Sequence, residues 1–141
     1  MNVKANRKVL IFGFVVSVFI IWIIQNPIGK FGYHGFGYTV YSAIPIPYFD
    51  LKIGPEGIPQ IREKSHFVSF NEVNEYIGSL RQDYDITLII GTEYEDMVNI
   101  DGKILESNSN VIVLKTPEAI EKYNGLKDEG RKVAIILHST Y

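Results

Sequence analysis

Residues 111–137 read VIVLKTPEAIEKYNGLKDEGRKVAIIL, and this run sets the fold class. Val111 to Leu114 and Val133 to Leu137 are short and wholly apolar, the pattern of strands covered on both faces. Between them, Thr116-Pro117-Glu118 has the marks of a helix start: a capping hydroxyl, proline at the first helical position and an early acid. Ala119, Ile120, Tyr123 and Leu126 give that helix one apolar face, and Gly130 ends it as the residue just past the C-cap. Strand, helix and strand in this order predict an α/β domain.

Working upstream, Ile86 to Ile90 (ITLII) is a further apolar strand, closed by Gly91. Before it, Ser69-Phe70-Asn71-Glu72 has the spacing of a capping box, in which Ser69 and Glu72 would each satisfy the other's free backbone donor. Val73, Tyr76, Ile77 and Leu80 follow at helical spacing. Further back, Tyr38 to Tyr41 is β-branched and aromatic, and Ile44-Pro45-Ile46-Pro47 should break it. Tyr48 to Ile53 alternates, Gly54-Pro55-Glu56-Gly57 turns, and Ile58 to Arg62 returns, as a hairpin or three-stranded meander would. Between Met97 and Ser109 the pattern fits a turn at Asp101-Gly102 or an interrupted short helix. The expected architecture is a mixed α/β domain. An N-terminal β-meander is followed by αβ(α)βαβ, with helices flanking a mixed sheet.

Several of these stretches resemble one family. Thr116-Pro117-Glu118-Ala119, Tyr123-Asn124-x-Leu126, Glu129-Gly130-Arg131-x-Val133 and His138-Ser139-Thr140 are similar to the C-terminal signature of the Mth-nine-three-eight-like domain family. Leu88-Ile89-Ile90-Gly91-Thr92 resembles its strand-and-glycine motif, and Asp50-x-Lys52-Ile53-x-Pro55-x-Gly57 its N-terminal hairpin. The likeness covers roughly residues 35–141, and Thr116 to Gly130 is its most specific part. It implies a compact α/β domain with a mixed sheet and a structural signature at Gly91, Pro117, Tyr123, Asn124 and Gly130. Relatives include the adipogenesis-associated domain protein and the mitochondrial complex I assembly factor three, so a role in assembly or scaffolding is also implied. Two departures stand out within the domain. Gly91-Thr92-Glu93 replaces the Gly-Thr-Gly of many relatives, and the stretch from Gly91 to Val111 is shorter.

At the other end, Val9 to Ile24 (VLIFGFVVSVFIIWII) carries no charge. Its helix would be about 24 Å long, close to a bilayer's hydrocarbon thickness. A domain of this size offers no interior that could surround such a helix. The following Gln25-Asn26-Pro27-Ile28-Gly29 lacks the small-residue pair of a cleavage site, so an uncleaved signal anchor over residues 9–28 is expected, with the lipid bilayer as its partner. Lys4, Arg7 and Lys8 precede the span and only Lys30 closely follows it. That bias places residues 1–8 in the cytoplasm and the C-terminal domain outside it, at the cell membrane. Residues 29–37, rich in glycine and aromatics, read as a linker, with Tyr33, Phe36 and Tyr38 holding it against headgroups or the domain. The domain proper is then residues 38–141.

Composition narrows function. Beyond residue 30 lie all sixteen acidic residues against ten basic ones, a formal net charge of −6, which disfavours nucleic acid and anionic headgroups. The chain has no cysteine, which excludes disulfides, thiol catalysis and Cys-ligated zinc. If the three apolar strands are parallel, their carboxyl ends bring Thr92, Glu93, Lys115, Thr116, His138 and Ser139 to one edge, where open α/β sheets hold ligands. Thr92, Glu93, Thr116, His138 and Ser139 are therefore the candidate ligand or partner site. Glu93, His138 and Ser139 could form a carboxylate, base and nucleophile, but no G-x-S-x-G elbow supports a triad, and no catalytic residue is assigned. Asn99-x-Asp101-Gly102 matches a calcium loop in part. It places Met97 first and Asn108 last, so Glu93, Glu95, Asp96 and Asp101 read as a solvated acidic loop; no metal or cofactor is expected. The reading that follows is a membrane-tethered, non-catalytic interaction or assembly module serving a membrane protein complex. The alternative is a small-ligand-binding or hydrolase-like protein using the strand-end cluster.

Overall fold

The computed structural model describes residues 3–80, 85–92, 100–107 and 110–139, with side chains from residue 7 onward. In chain order the elements are α1 (Val3–Gln25), β1 (Phe31–Gly35), β2 (Tyr38–Tyr41), β3 (Ile44–Pro47), β4 (Asp50–Ile53) and β5 (Pro59–Arg62). They continue with α2 (Phe70–Ser79), β6 (Thr87–Gly91), α3 (Lys103–Ser107), β7 (Val111–Leu114), α4 (Thr116–Asp128) and β8 (Val133–Leu137). The fold is mixed α/β, as the apolar strands and capped helices predict.

Five strands form the main sheet, in the order β5-β4-β8-β6-β7. The three apolar strands β8, β6 and β7 are parallel, and the β4–β5 hairpin joins antiparallel through β8. Alternation along each strand splits the core in two. Leu51, Ile53, Ile89, Ile135 and Leu137 face α4 with Ala119, Ile120, Tyr123 and Leu126. Leu88, Ile90, Ala134 and Ile136 face the other way, onto Val73 and Tyr76 of α2 and Ile104 of α3. Burial on both faces is what the unbroken apolar runs encode.

The meander is a separate sheet, β1-β2-β3. Its strands differ from those expected. Residues 31–35, read as linker, are a strand paired antiparallel with β2, and the Asn124 side chain on α4 meets the Phe31 backbone as a further strand neighbour would. Its Oδ1 accepts from the Phe31 N–H at 2.9 Å and its Nδ2 donates to the Phe31 carbonyl at 2.8 Å. The Phe31 ring is buried against Tyr41 and Tyr123. Ile44–Pro47, expected to break the strand, pairs with β2 instead. It is an edge strand, where prolines cost no ladder bond on the outer side.

Two helix starts also differ in detail. Ser69 caps α2, its Oγ accepting from the Glu72 N–H at 3.2 Å, but the Glu72 carboxylate turns to Arg62 and Lys52. Half the capping box forms. At α4 the cap residue is Lys115, and the Thr116 hydroxyl donates to the His138 carbonyl at 2.7 Å. The far end of α4 closes as a Schellman motif. Gly130 has φ +73°, its N–H donates to Lys127, and the Arg131 N–H donates to Leu126.

Candidate functional site

Parallel strands β8, β6 and β7 end together, so Thr92, Thr116, His138 and Ser139 do meet at one edge, and all four are buried. Their polar atoms hold the fold. The His138 N–H donates to the Gly91 carbonyl at 2.7 Å, and the Ser139 hydroxyl donates to the Phe49 carbonyl at 2.6 Å. Gly91 lets α4 approach: a Cβ there would lie 2.7 Å from the Ala119 Cβ. Pro117 sits in the first turn of α4, and the Tyr123 hydroxyl lies 3.2 Å from that of Tyr41, its pKa pushed up by burial. Glu93 lies outside the described residues, as do Glu95, Asp96, Met97, Asn99 and Asn108. Asp101 is described; its Oδ1 accepts from the Lys103 N–H and so starts α3.

The carboxylate beside His138 is Asp50, and the sheet register puts it there. Asp50 stands opposite Arg62 across β4–β5, and the Leu51–Leu137 pairing, carried one step on, sets Asp50 opposite His138. The three form a lateral row on the α2 face. Asp50 Oδ2 accepts from His138 Nδ1 at 2.7 Å, Arg62 Nη1 at 3.0 Å and the Ser65 N–H at 3.1 Å, and its Oδ1 accepts from the Ser139 N–H at 3.3 Å. Burial alone would raise the Asp50 pKa. The bonds from His138 and the two backbone N–H groups reverse this and hold it below the usual carboxylate range. Arg62 also forks Glu72, at 2.6 and 2.9 Å, and Lys52 reaches Glu72 at 2.9 Å. Glu72 is likewise depressed: burial opposes, and its two cations prevail.

An ionised carboxylate only accepts, so His138 Nδ1 carries the proton of that bond. Nε2 is buried and has no hydrogen-bond partner among the described residues, and the His66 ring packs over the imidazole at a centroid distance of 4.4 Å. Ser139, the hydroxyl that a triad here would have needed, is turned away to Phe49. Arg62, at one end of the row, joins Lys52, Ser65, Phe67, Ser69 and Glu72 in lining an open groove of about 670 Å³ between the hairpin and the start of α2. Asp50 and His138 are not part of its lining. Asp50, Arg62 and Glu72 were missed as site residues, since Asp50 and His138 stand 88 residues apart and only the strand register joins them.

No protein-family model matches the chain, and no curated protein matches it. Solved structures do. MT938 superposes with a TM-score of 0.64 at 26% identity, over 79% of this chain and 98% of that one. A conserved hypothetical protein of Pyrococcus horikoshii matches at 0.61 and 21% identity, over 79% of this chain and 99% of its own. A Bartonella henselae protein described as an outer membrane protein matches at 0.62 and 16% identity, over 83% and 98%. The chain therefore has an MT938-like fold. Ahead of it, Arg7–Gln25 of α1 is long and apolar enough to act as a membrane anchor or a signal sequence, with a mean hydropathy of 2.3 and none of it buried.

Proposed function

We propose that this chain is a membrane-anchored member of the Mth-nine-three-eight-like family that works as a non-catalytic interaction module, assisting assembly of a membrane protein complex. The observation that carries this reading is how the strand-end groups are used. The hydroxyls of Thr116 and Ser139 and the Nδ1 of His138 are buried and hydrogen-bonded within the fold. A hydrolase of this layout would keep a hydroxyl facing its base. Anchoring adds effective concentration toward a partner in the same bilayer, so a modest interface suffices.

The orientation we propose is N-terminus in the cytoplasm and domain outside. Lys30, the cation nearest the end of α1, is paired with Asp128, which reinforces the excess of positive charge before the span. A C-terminal alkaline-phosphatase fusion should be active, and protease added outside spheroplasts should digest the domain. A silent phosphatase beside a fluorescent cytoplasmic reporter would reverse the orientation.

A second reading, small-ligand binding or hydrolysis at the strand ends, is favoured by one observation, the unpaired Nε2 of the oriented His138. Complementation of a deletion strain separates the two. Under the module reading, Ser139→Ala and His138→Asn lose function only in step with melting temperature. Full stability without complementation in both variants would make the edge an active site.

A further inference from the structure

The junction between α1 and the domain has no spacer. Trp22 Nε1, in the last turn of α1, donates to the Ala43 carbonyl at 3.0 Å. Asn26 is buried; its Nδ2 donates to the Trp22 carbonyl at 3.0 Å, and its Oδ1 accepts from the Tyr33 N–H at 2.9 Å. The Gly29 N–H donates to Ser42 Oγ at 2.8 Å, and the Tyr41 hydroxyl lies 3.4 Å from the Gly29 carbonyl and 3.2 Å from that of Gly57. The stretch after α1 and the β2–β3 turn therefore meet at the end of the helix, and the Tyr41 hydroxyl links the β4–β5 turn to them.

Depth follows from these contacts. Trp22 stands three residues inside the end of the apolar stretch Arg7–Gln25, about 4–5 Å along the helix axis. The Ala43 carbonyl touches its indole, so the β2–β3 turn lies level with the last turn of the helix. That turn is strained as well. Ser42 and Ala43 have φ of +52° and +63°, where Asn-Gly is usual. Each of the three turns leaves one isoleucine in the open: Ile28 at 68%, Ile44 at 60% and Ile58 at 66% exposure. Single exposed isoleucines are ordinary, but these three lie on turns linked to one another through Ser42 and Tyr41 beside an apolar helix.

Resting on the anchor reading above, we propose that this end of the domain is seated in the bilayer interface, with Ile28, Ile44 and Ile58 at the boundary of headgroups and acyl chains beside Trp22. The continuity with the span names the occupant: side chains level with the last turn of a membrane helix meet lipid. The seating is apolar. The three turns themselves carry one cation, Lys30, which is paired with Asp128, and one anion, Glu56, so they have no net charge with which to attract acidic lipid.

The chain has no native cysteine, which makes single-site labelling direct. In the full chain reconstituted into phosphatidylcholine vesicles, an environment-sensitive dye is placed at Ile28→Cys, Ile44→Cys, Ile58→Cys, Val16→Cys and Tyr48→Cys. Tyr48 is 72% exposed just beyond the opposite end of β3. The three turn sites should show blue-shifted emission, resist aqueous iodide and respond to shallow spin-labelled lipid, while Tyr48→Cys stays wet. Neither high salt nor added acidic lipid should change this. If Val16→Cys reports lipid and the turn sites are as wet as Tyr48→Cys, the seating is wrong and the anchor stands. If Val16→Cys is wet too, both fall. Dry turn sites deaf to the lipid quencher would mean that protein covers them, which also overturns the proposal. Three independent turn sites guard against one substitution disturbing its own turn.

Discussion

Asp50 holds His138, Arg62 and two backbone N–H groups from one fully buried position, so its charge matters more than its volume. Asp50→Asn keeps the shape and leaves Glu72 as the carboxylate partner of Arg62, beside the Ser65 and Phe67 carbonyls; it should cost about 3 kcal/mol or more, read by denaturant melting. His138→Asn removes one bond of that row and should cost about 0.5–1.5 kcal/mol. Gly91→Ala tests packing instead: the added methyl meets Ala119 at 2.7 Å and should cost about 1–3 kcal/mol. Some of this was legible. The end of an apolar run places His138, and Gly130 sits where a helix must stop. Asp50 was not legible as a site residue, because an acid in an alternating strand looks solvated until the register sets a base and a guanidinium beside it. The Glu93 reading followed the same local logic and lies outside the described residues.

Among the elements, α4 shows how a side chain can define a strand. Asn124 pairs with both backbone groups of Phe31, so Asn124→Ala should loosen β1 without unfolding the main sheet. The loss of two bonds amounts to about 1–3 kcal/mol, and faster amide exchange confined to β1 and β2 would show it. Loss of protection throughout β6 and β8 would instead mean that the small sheet is part of the global unit. The periodic elements α2, β6, β7, α4 and β8 were readable from apolar spacing alone. β1 and β3 were not, since glycine and proline mask strands whose partners lie elsewhere. The capping box at Ser69 was read correctly for one bond. Its other half went to Arg62, because pairing a buried guanidinium outweighs one exposed backbone donor.

For the molecule as a whole, pH is the simplest global probe. Asp50 and Glu72 both titrate below their ordinary range in the folded state. Such groups bind fewer protons folded than unfolded just below the ordinary carboxylate pKa of about 4, so stability is full above that value and is lost as pH falls through the folded pKa. Melting temperature should drop as pH falls below about 4. In Asp50→Asn that drop should be shallower; an equal drop would place the acid sensitivity elsewhere. The α/β class was legible because parallel strands announce themselves by unbroken apolar runs. The division into two sheets was not, since it depends on which strand the hairpin chooses. It chooses β8, the latest strand, which lies between β4 and β6. Until residues 133–137 leave the ribosome, the hairpin and the earlier parallel pair each expose an inner edge with nothing to pair against. The decisive closure therefore waits for a strand that follows all the other described strands and spans most of the domain, which makes folding slow and leaves two adhesive edges waiting. One late segment is the keystone for both halves.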